Sequence, residues 1–146
     1  PTAIVSVWRE DYSLYIEEHI YKTGMTNRDI SEELDKLELE RTPIICDSAE
    51  PKSIEELHRL GHNVKPSKKG PDSIRLGIDI MKRHKLYILK DSLNAQKEFR
   101  NYRWEVDKNG TQLSKPVDKS NHIIDAVRYI CINRIGTAYT GKYYIT

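Results

Sequence analysis

Pro43-Ile44-Ile45-Cys46-Asp47 is the stretch on which the fold turns: a short continuous apolar run that ends in a carboxylate. A run of this length and continuity reads as a strand covered on both faces inside an α/β sheet, because an open antiparallel strand would alternate apolar with polar. Asp47 then stands at the carboxyl end of a central strand, where open α/β sheets gather their ligands. A carboxylate there either caps the following turn or binds a hard cation. The next loop, Ser48-Ala49-Glu50-Pro51-Lys52, adds a second acid.

Upstream, residues 2–7 and 14–21 are rich in β-branched and aromatic side chains and flank the polar Arg9-Glu10-Asp11-Tyr12-Ser13, the pattern of an antiparallel hairpin. Thr26 with Asp29 forms a helix-entry box, and Ile30, Leu34 and Leu37 follow at helical spacing, predicting a helix over 27–39. Downstream, Ser53-Ile54-Glu55-Glu56 reads as a capping box for a helix whose Leu57 and Leu60 face inward, closed by Gly61. A short strand at 63–66 precedes the Lys68-Lys69-Gly70-Pro71 turn. Ile74, Ile78 and Met81 place a helix over 73–84, and residues 86–89 form a further strand. Ser92 caps a helix carrying Leu93, Ala95 and Phe99. Strands at 102–106 and 111–113 flank Asp107-Lys108-Asn109-Gly110, whose Asn-Gly pair marks a turn. The last helix covers 122–134, with Ile124, Val127 and Cys131 on one stripe. A strand meander followed by alternating strands and helices predicts an α/β or α+β domain on a mixed sheet.

At 146 residues, with 32% charged residues and 38% from the AVILMFWYC set, the chain has the size and apolar content of one folded domain. No apolar run is long enough for a membrane span or a signal peptide, so a soluble protein is expected. The two cysteines, Cys46 and Cys131, lie in apolar stretches without a second Cys or His at metal-ligand spacing; zinc is disfavoured and both thiols read as core residues in a reducing compartment. Net charge is only +2, but residues 62–103 hold eleven bases against four acids. Such a zone either attracts a phosphate backbone or forms a solvated mixed surface. His19, His58, His62 and His84 lack partners at meaningful spacing.

The richest polar constellation is Asn121-His122-Ile123-Ile124-Asp125-Ala126-Val127-Arg128-Tyr129. On a helix, the three-residue spacing brings His122 and Asp125 to one face while Ile124 and Val127 turn to the core. The helix N-terminus favours an ionised Asp125. A capping acid beside a surface histidine is the plainer reading. Two acids on separate elements with a histidine also fit two-metal phosphoryl transfer, in which Mg²⁺ or Mn²⁺ takes hard oxygen ligands.

In combined order, Pro1-Thr2-Ala3-Ile4-Val5, then Cys46-Asp47-Ser48-Ala49-Glu50-Pro51-Lys52-Ser53-Ile54, then Lys68-Lys69-Gly70-Pro71-Asp72-Ser73-Ile74, then a hairpin, then the Asn121 to Tyr129 string, the chain resembles the nuclease domain of the large terminase subunit of tailed phages and prophages. That resemblance implies an RNase H-like mixed β-sheet flanked by helices. It implies a metal-dependent endonuclease that cuts concatemeric double-stranded viral DNA during packaging in the bacterial cytoplasm, with two Mg²⁺ or Mn²⁺ ions. Asp47 and Asp125 carry over as metal ligands and His122 as a residue assisting metal binding or proton transfer. Lys68 and Lys69 fall where the family has a basic loop, which implies DNA contact there, and Arg75 is a further DNA-binding candidate. The terminase small subunit and the portal protein are the implied partners. The family also places an aspartate on an innermost strand just before the segment that begins here at Pro1. The chain is therefore expected to be a fragment of a longer polypeptide that supplies that strand. No Walker-type Gly-Lys-Ser/Thr loop occurs in these residues. The competing expectations are a catalytically incomplete DNA-binding or motor-docking domain, and another RNase H-like nuclease of the resolvase or transposase type.

Overall fold

In chain order, a computed structural model describes, over residues 1–117 and 120–136, strands β1 (Thr2–Glu10) and β2 (Ser13–Lys22), helix α1 (Asn27–Lys36), β3 (Ile44–Cys46), α2 (Pro51–Arg59), β4 (Val64–Pro66), α3 (Ser73–Lys82), β5 (Lys85–Ile88), α4 (Leu93–Asn101), β6 (Trp104–Val106), β7 (Gln112–Pro116) and α5 (His122–Ile130), which continues as a π-helix over Cys131–Ile135. The hairpin β1-β2 is antiparallel and β5 joins β2 in parallel, giving the mixed sheet that the meander-then-alternation pattern predicts. β3 and β4 form a separate parallel pair, and β6 and β7 a second hairpin. Its turn is held by Asp107, whose Oδ1 accepts from the Asn109 and Thr111 N–H groups at 2.8 Å each.

Two apolar clusters hold these pieces. The larger joins Val5, Val7, Leu14 and Ile16 of the first sheet to Ile78, Ile80 and Met81 of α3, Ala95 of α4, and Ile123, Ile124, Val127 and Ile130 of α5. Val7, Leu14, Ile16, Ile123, Ile124 and Val127 are wholly buried, each contributing about 1.5–3 kcal/mol relative to exposure. The smaller cluster, Leu34, Leu57 and Val64 with Ile30, Ile44 and Ile54 around them, seats α1 and α2 on the β3-β4 pair. α5 packs against both β1 and β3 and so ties the two halves together.

Several local expectations change. Thr26 does form its capping box with Asp29, but α1 ends at Lys36 because Glu38 and Glu40 both take left-handed backbone, φ 51°. α2 starts at Pro51, not Ser53: proline at the first helical position is preorganised for a helix, and Glu56, freed from a capping box, accepts from Asn27 Nδ2 of α1 at 2.6 Å. Leu60, just past the end of that helix, is exposed, as is Leu93 at the start of α4. β3 is not covered on both faces. Ile44, Ile45 and Cys46 are each half-buried, since the strand pairs only with β4 among the described residues and borders an open cleft. Cys46 is accordingly a cleft residue and Cys131 alone is a core thiol; burial pushes them up to about 11 and about 12.

A β-bulge carries a longer-range consequence. Ile4 pairs with Ile20 but Val5 with Glu18, so His19 is the extra residue. Strict alternation from Tyr15 and Glu17 would send Tyr21 outward; the one-residue slip turns it to the core instead.

Candidate functional site

Because β3 and β4 are parallel, the loops leaving them emerge at the same end. Asp47 leaves β3, and Ser67, Lys68 and Lys69 leave β4. The Ser67 N–H donates to the Cys46 carbonyl at 2.7 Å, adding one rung beyond the strands. The next residue is pinned from the opposite side: the Lys68 N–H donates to Asn133 Oδ1 at 3.0 Å, while Asn133 Nδ2 donates to Ser67 Oγ at 3.0 Å and to the Tyr129 carbonyl at 2.7 Å. Asn133 lies in the π-helical turn, a helix irregularity frequent at functional sites.

Asp47 does both things its position allows. Its Oδ1 accepts from the Ala49 N–H at 3.0 Å, capping the turn, and pairs with Lys69 Nζ at 2.6 Å. Burial works to raise the Asp47 carboxyl, but the Lys69 ammonium, the Ala49 N–H and the Tyr129 hydroxyl outweigh it and hold it below the usual carboxylate range. Burial, then the charges of Asp47 and Asp125, push Tyr129 up to about 12, so its hydroxyl stays protonated at neutral pH and can donate to Asp47.

Asp125 sits in the first turn of α5. Its Oδ1 accepts from Arg128 Nη2 at 3.0 Å and Nε at 3.3 Å. The Arg128 side chain is 7% exposed against 43% for Asp125. Arg128 also lies over the Tyr129 ring, 4.8 Å from its centroid, and a Cβ placed on Gly77 of α3 would overlap its Cγ. His122, the first residue of α5, is exposed, with its ring edge-on to Tyr21 at 6.0 Å.

Asp47, His122, Asp125 and Tyr129 therefore line one cleft of about 460 Å³, between the first strand and β3. The two acids that the sequence singles out share a single opening. They do not make a closed cage: among the described residues no three or more His, Cys, Asp or Glu side chains come together closely enough to hold a metal ion. The donor chemistry nonetheless suits a hard divalent cation, since Mg²⁺-type sites use one or two carboxylates and keep several waters. Lys68, Lys69 and Arg75 are all exposed, and every base of the 62–103 zone is exposed as well. Sequence reasoning missed the roles of Arg128, Tyr129 and Asn133. Their helical spacing of three, four and eight residues from Asp125 was the available signal.

α5 owes its placement to a relay of remote carboxylates. Glu18 of β2 accepts from the Ala95 N–H at 2.9 Å and from Asn94 Nδ2 at 2.6 Å, so it caps α4. The expected cap, Ser92, instead accepts from the Glu18 N–H at 2.9 Å. On α4, buried Glu98 accepts through Oε2 from the Ile123 and Ile124 N–H groups at 2.8 and 3.1 Å, capping α5 in turn. Burial, with Glu98 alongside, pushes the Tyr21 hydroxyl up to about 12.

A family model for the terminase RNase H-like domain matches residues 2–131. The large terminase subunit of Bacillus phage SPP1 is 39% identical over 100 residues, covering 64% of this chain and 23% of that protein, so the chain spans under a quarter of the length of this curated relative. Among solved structures, the nuclease domain of the SPP1 large terminase g2p, with bound Mn, has a TM-score of 0.77 at 30% identity over 88% of this chain and 76% of that one. The large terminase of a thermophilic bacteriophage, in complex with ADP (TM-score 0.69, 20% identity, 94% of this chain and 40% of that one), shares the fold, as does the P22 large terminase nuclease domain (0.60, 14%, 89% and 73%). The mixed α/β architecture is RNase H-like, and the chain belongs to the terminase RNase H-like domain family.

Proposed function

We propose that this domain is a divalent-metal-dependent endonuclease that hydrolyses phosphodiester bonds of concatemeric double-stranded viral DNA during genome packaging in the bacterial cytoplasm, with the terminase small subunit and the portal protein as its partners. The observation that carries this reading is the meeting of Asp47 and Asp125, 78 residues apart in sequence, in one cleft beside an exposed basic loop. The Mn-bound SPP1 relative supports a divalent ion as the cofactor. Asp47 and Asp125 would hold the ions, two of Mg²⁺ or Mn²⁺, through carboxylate oxygens. Such ions, when bound, supply Lewis-acid stabilisation of the attacking and leaving oxygens in an in-line displacement. His122, exposed at the cleft, assists metal binding or moves a proton to or from the reacting oxygens. Lys68, Lys69 and Arg75 hold backbone phosphates.

Incubating supercoiled plasmid with the protein and Mn²⁺ or Mg²⁺ tests the reading. Nicked or linear product that EDTA prevents is expected, and intact plasmid with either metal overturns it. The competing view, a domain that binds DNA without cutting it, draws on the lack of a three-ligand cluster among the described residues. The same gel separates the two. Replacing Lys68 and Lys69 together by alanine is expected to weaken duplex binding and to reduce the slope of log affinity against log salt by about 2, since each lost phosphate contact removes about 0.9. An unchanged slope in anisotropy titrations would remove the loop from the interface.

A further inference from the structure

Of the three acids that line the cleft, Asp47, Glu50 and Asp125, the first and last are countered by cations of very different freedom. Arg128, buried and boxed in by Gly77 and the Tyr129 ring, is a fixed partner for Asp125. Lys69 and Asp47 are 47% and 46% exposed, and their ion pair rests on one contact to Oδ1. An exposed lysine pair of this kind is weak and exchangeable. The backbone before it is not: the bonds from Ser67 to Cys46 and from Lys68 to Asn133 anchor the loop, so the flexible lysine stem can swing while its base stays at the cleft. A divalent ion on Asp47 and an ammonium on the same oxygen would repel at close range, so one excludes the other.

We propose that Lys69 is a displaceable counter-ion of Asp47 that a divalent cation must expel, and that the freed ammonium is taken up by a DNA phosphate, which couples metal binding to DNA binding through one side chain. This rests on the metal-nuclease reading above. Reciprocity then requires duplex DNA to tighten metal binding by the same factor by which metal tightens DNA binding. The neighbouring exposed Lys65 and Lys68 bring a phosphate backbone within reach of the swinging ammonium.

The test measures Mn²⁺ affinity by electron paramagnetic resonance on the full chain without DNA, comparing wild type with Lys69→Met, Lys69→Gln and Asp47→Asn. Both Lys69 variants are expected to bind Mn²⁺ about fivefold more tightly than wild type, the loss of an exposed pair. Combining either with Asp47→Asn should erase the gain. In a second arm, anisotropy of a fluorescent phosphorothioate duplex should show Mn²⁺ tightening DNA binding in wild type and doing so less in Lys69→Met. If wild type binds Mn²⁺ and Asp47→Asn weakens it, yet the Lys69 variants bind equally or more weakly, the counter-ion role is overturned and the nuclease reading stands. If wild type binds no Mn²⁺, the metal reading fails and takes this one with it.

Discussion

Asp125→Asn is expected to lose at least about a hundredfold of Mn²⁺-dependent plasmid nicking while melting close to wild type. Metal ligation is worth several kcal/mol of transition-state charge stabilisation, and each 1.36 kcal/mol is a factor of ten in rate. Asparagine is the cleaner probe because its amide oxygen can still accept from Arg128, whose side chain is almost wholly buried. Asp125→Ala should also abolish nicking and retain the fold by circular dichroism, but with a lower melting temperature, since it leaves that guanidinium without its partner. Undiminished cleavage by the asparagine variant, scored as loss of supercoiled plasmid, would refute the assignment of Asp125 as a metal-site residue.

Glu98→Ala should lower the melting temperature by about 10 °C. Its carboxylate is the shared acceptor for two N–H groups in the first turn of α5, and it is buried. Removing it strands both donors at about 1–3 kcal/mol each, and also removes a negative charge from a helix N-terminus. For a chain of this size each kcal/mol shifts the midpoint by about 2–4 °C. Glu98→Gln should recover most of the loss, because the amide oxygen can accept both bonds. A Glu98→Ala melt within about 2 °C of wild type, followed by circular dichroism, would mean that α5 is capped by other groups.

Both predictions concern α5, the first a carboxylate it carries and the second the group that caps it, and they differ in how legible those residues are in the sequence. Asp125 was legible: a three-residue spacing from His122 on an amphipathic helix puts both on one side, and the structure places both at the cleft. Asp47 was legible for a similar reason, since it follows a short apolar strand. Glu98 was not. It lies in a helix that reads as an ordinary amphipathic segment, and its partners are 25 and 26 residues away. The Ser53 box failed in the opposite sense, as a correct local pattern that lost to a proline two residues earlier.

The sequence by itself determined what a few neighbouring residues can decide: the hairpin, the Thr26 cap, the turn at Asp107, the apolar stripe of α5, and the two acids at element ends. These follow from backbone sterics and from side-chain periods of two and 3.6, which act over a few residues. Only the tertiary structure decided which cation neutralises which acid, which distant carboxylate caps which helix, and that the bulge at His19 turns Tyr21 inward. Those outcomes depend on groups up to 77 residues apart being brought within hydrogen-bond reach, and the burial that makes such a bond stable exists only once the core has closed.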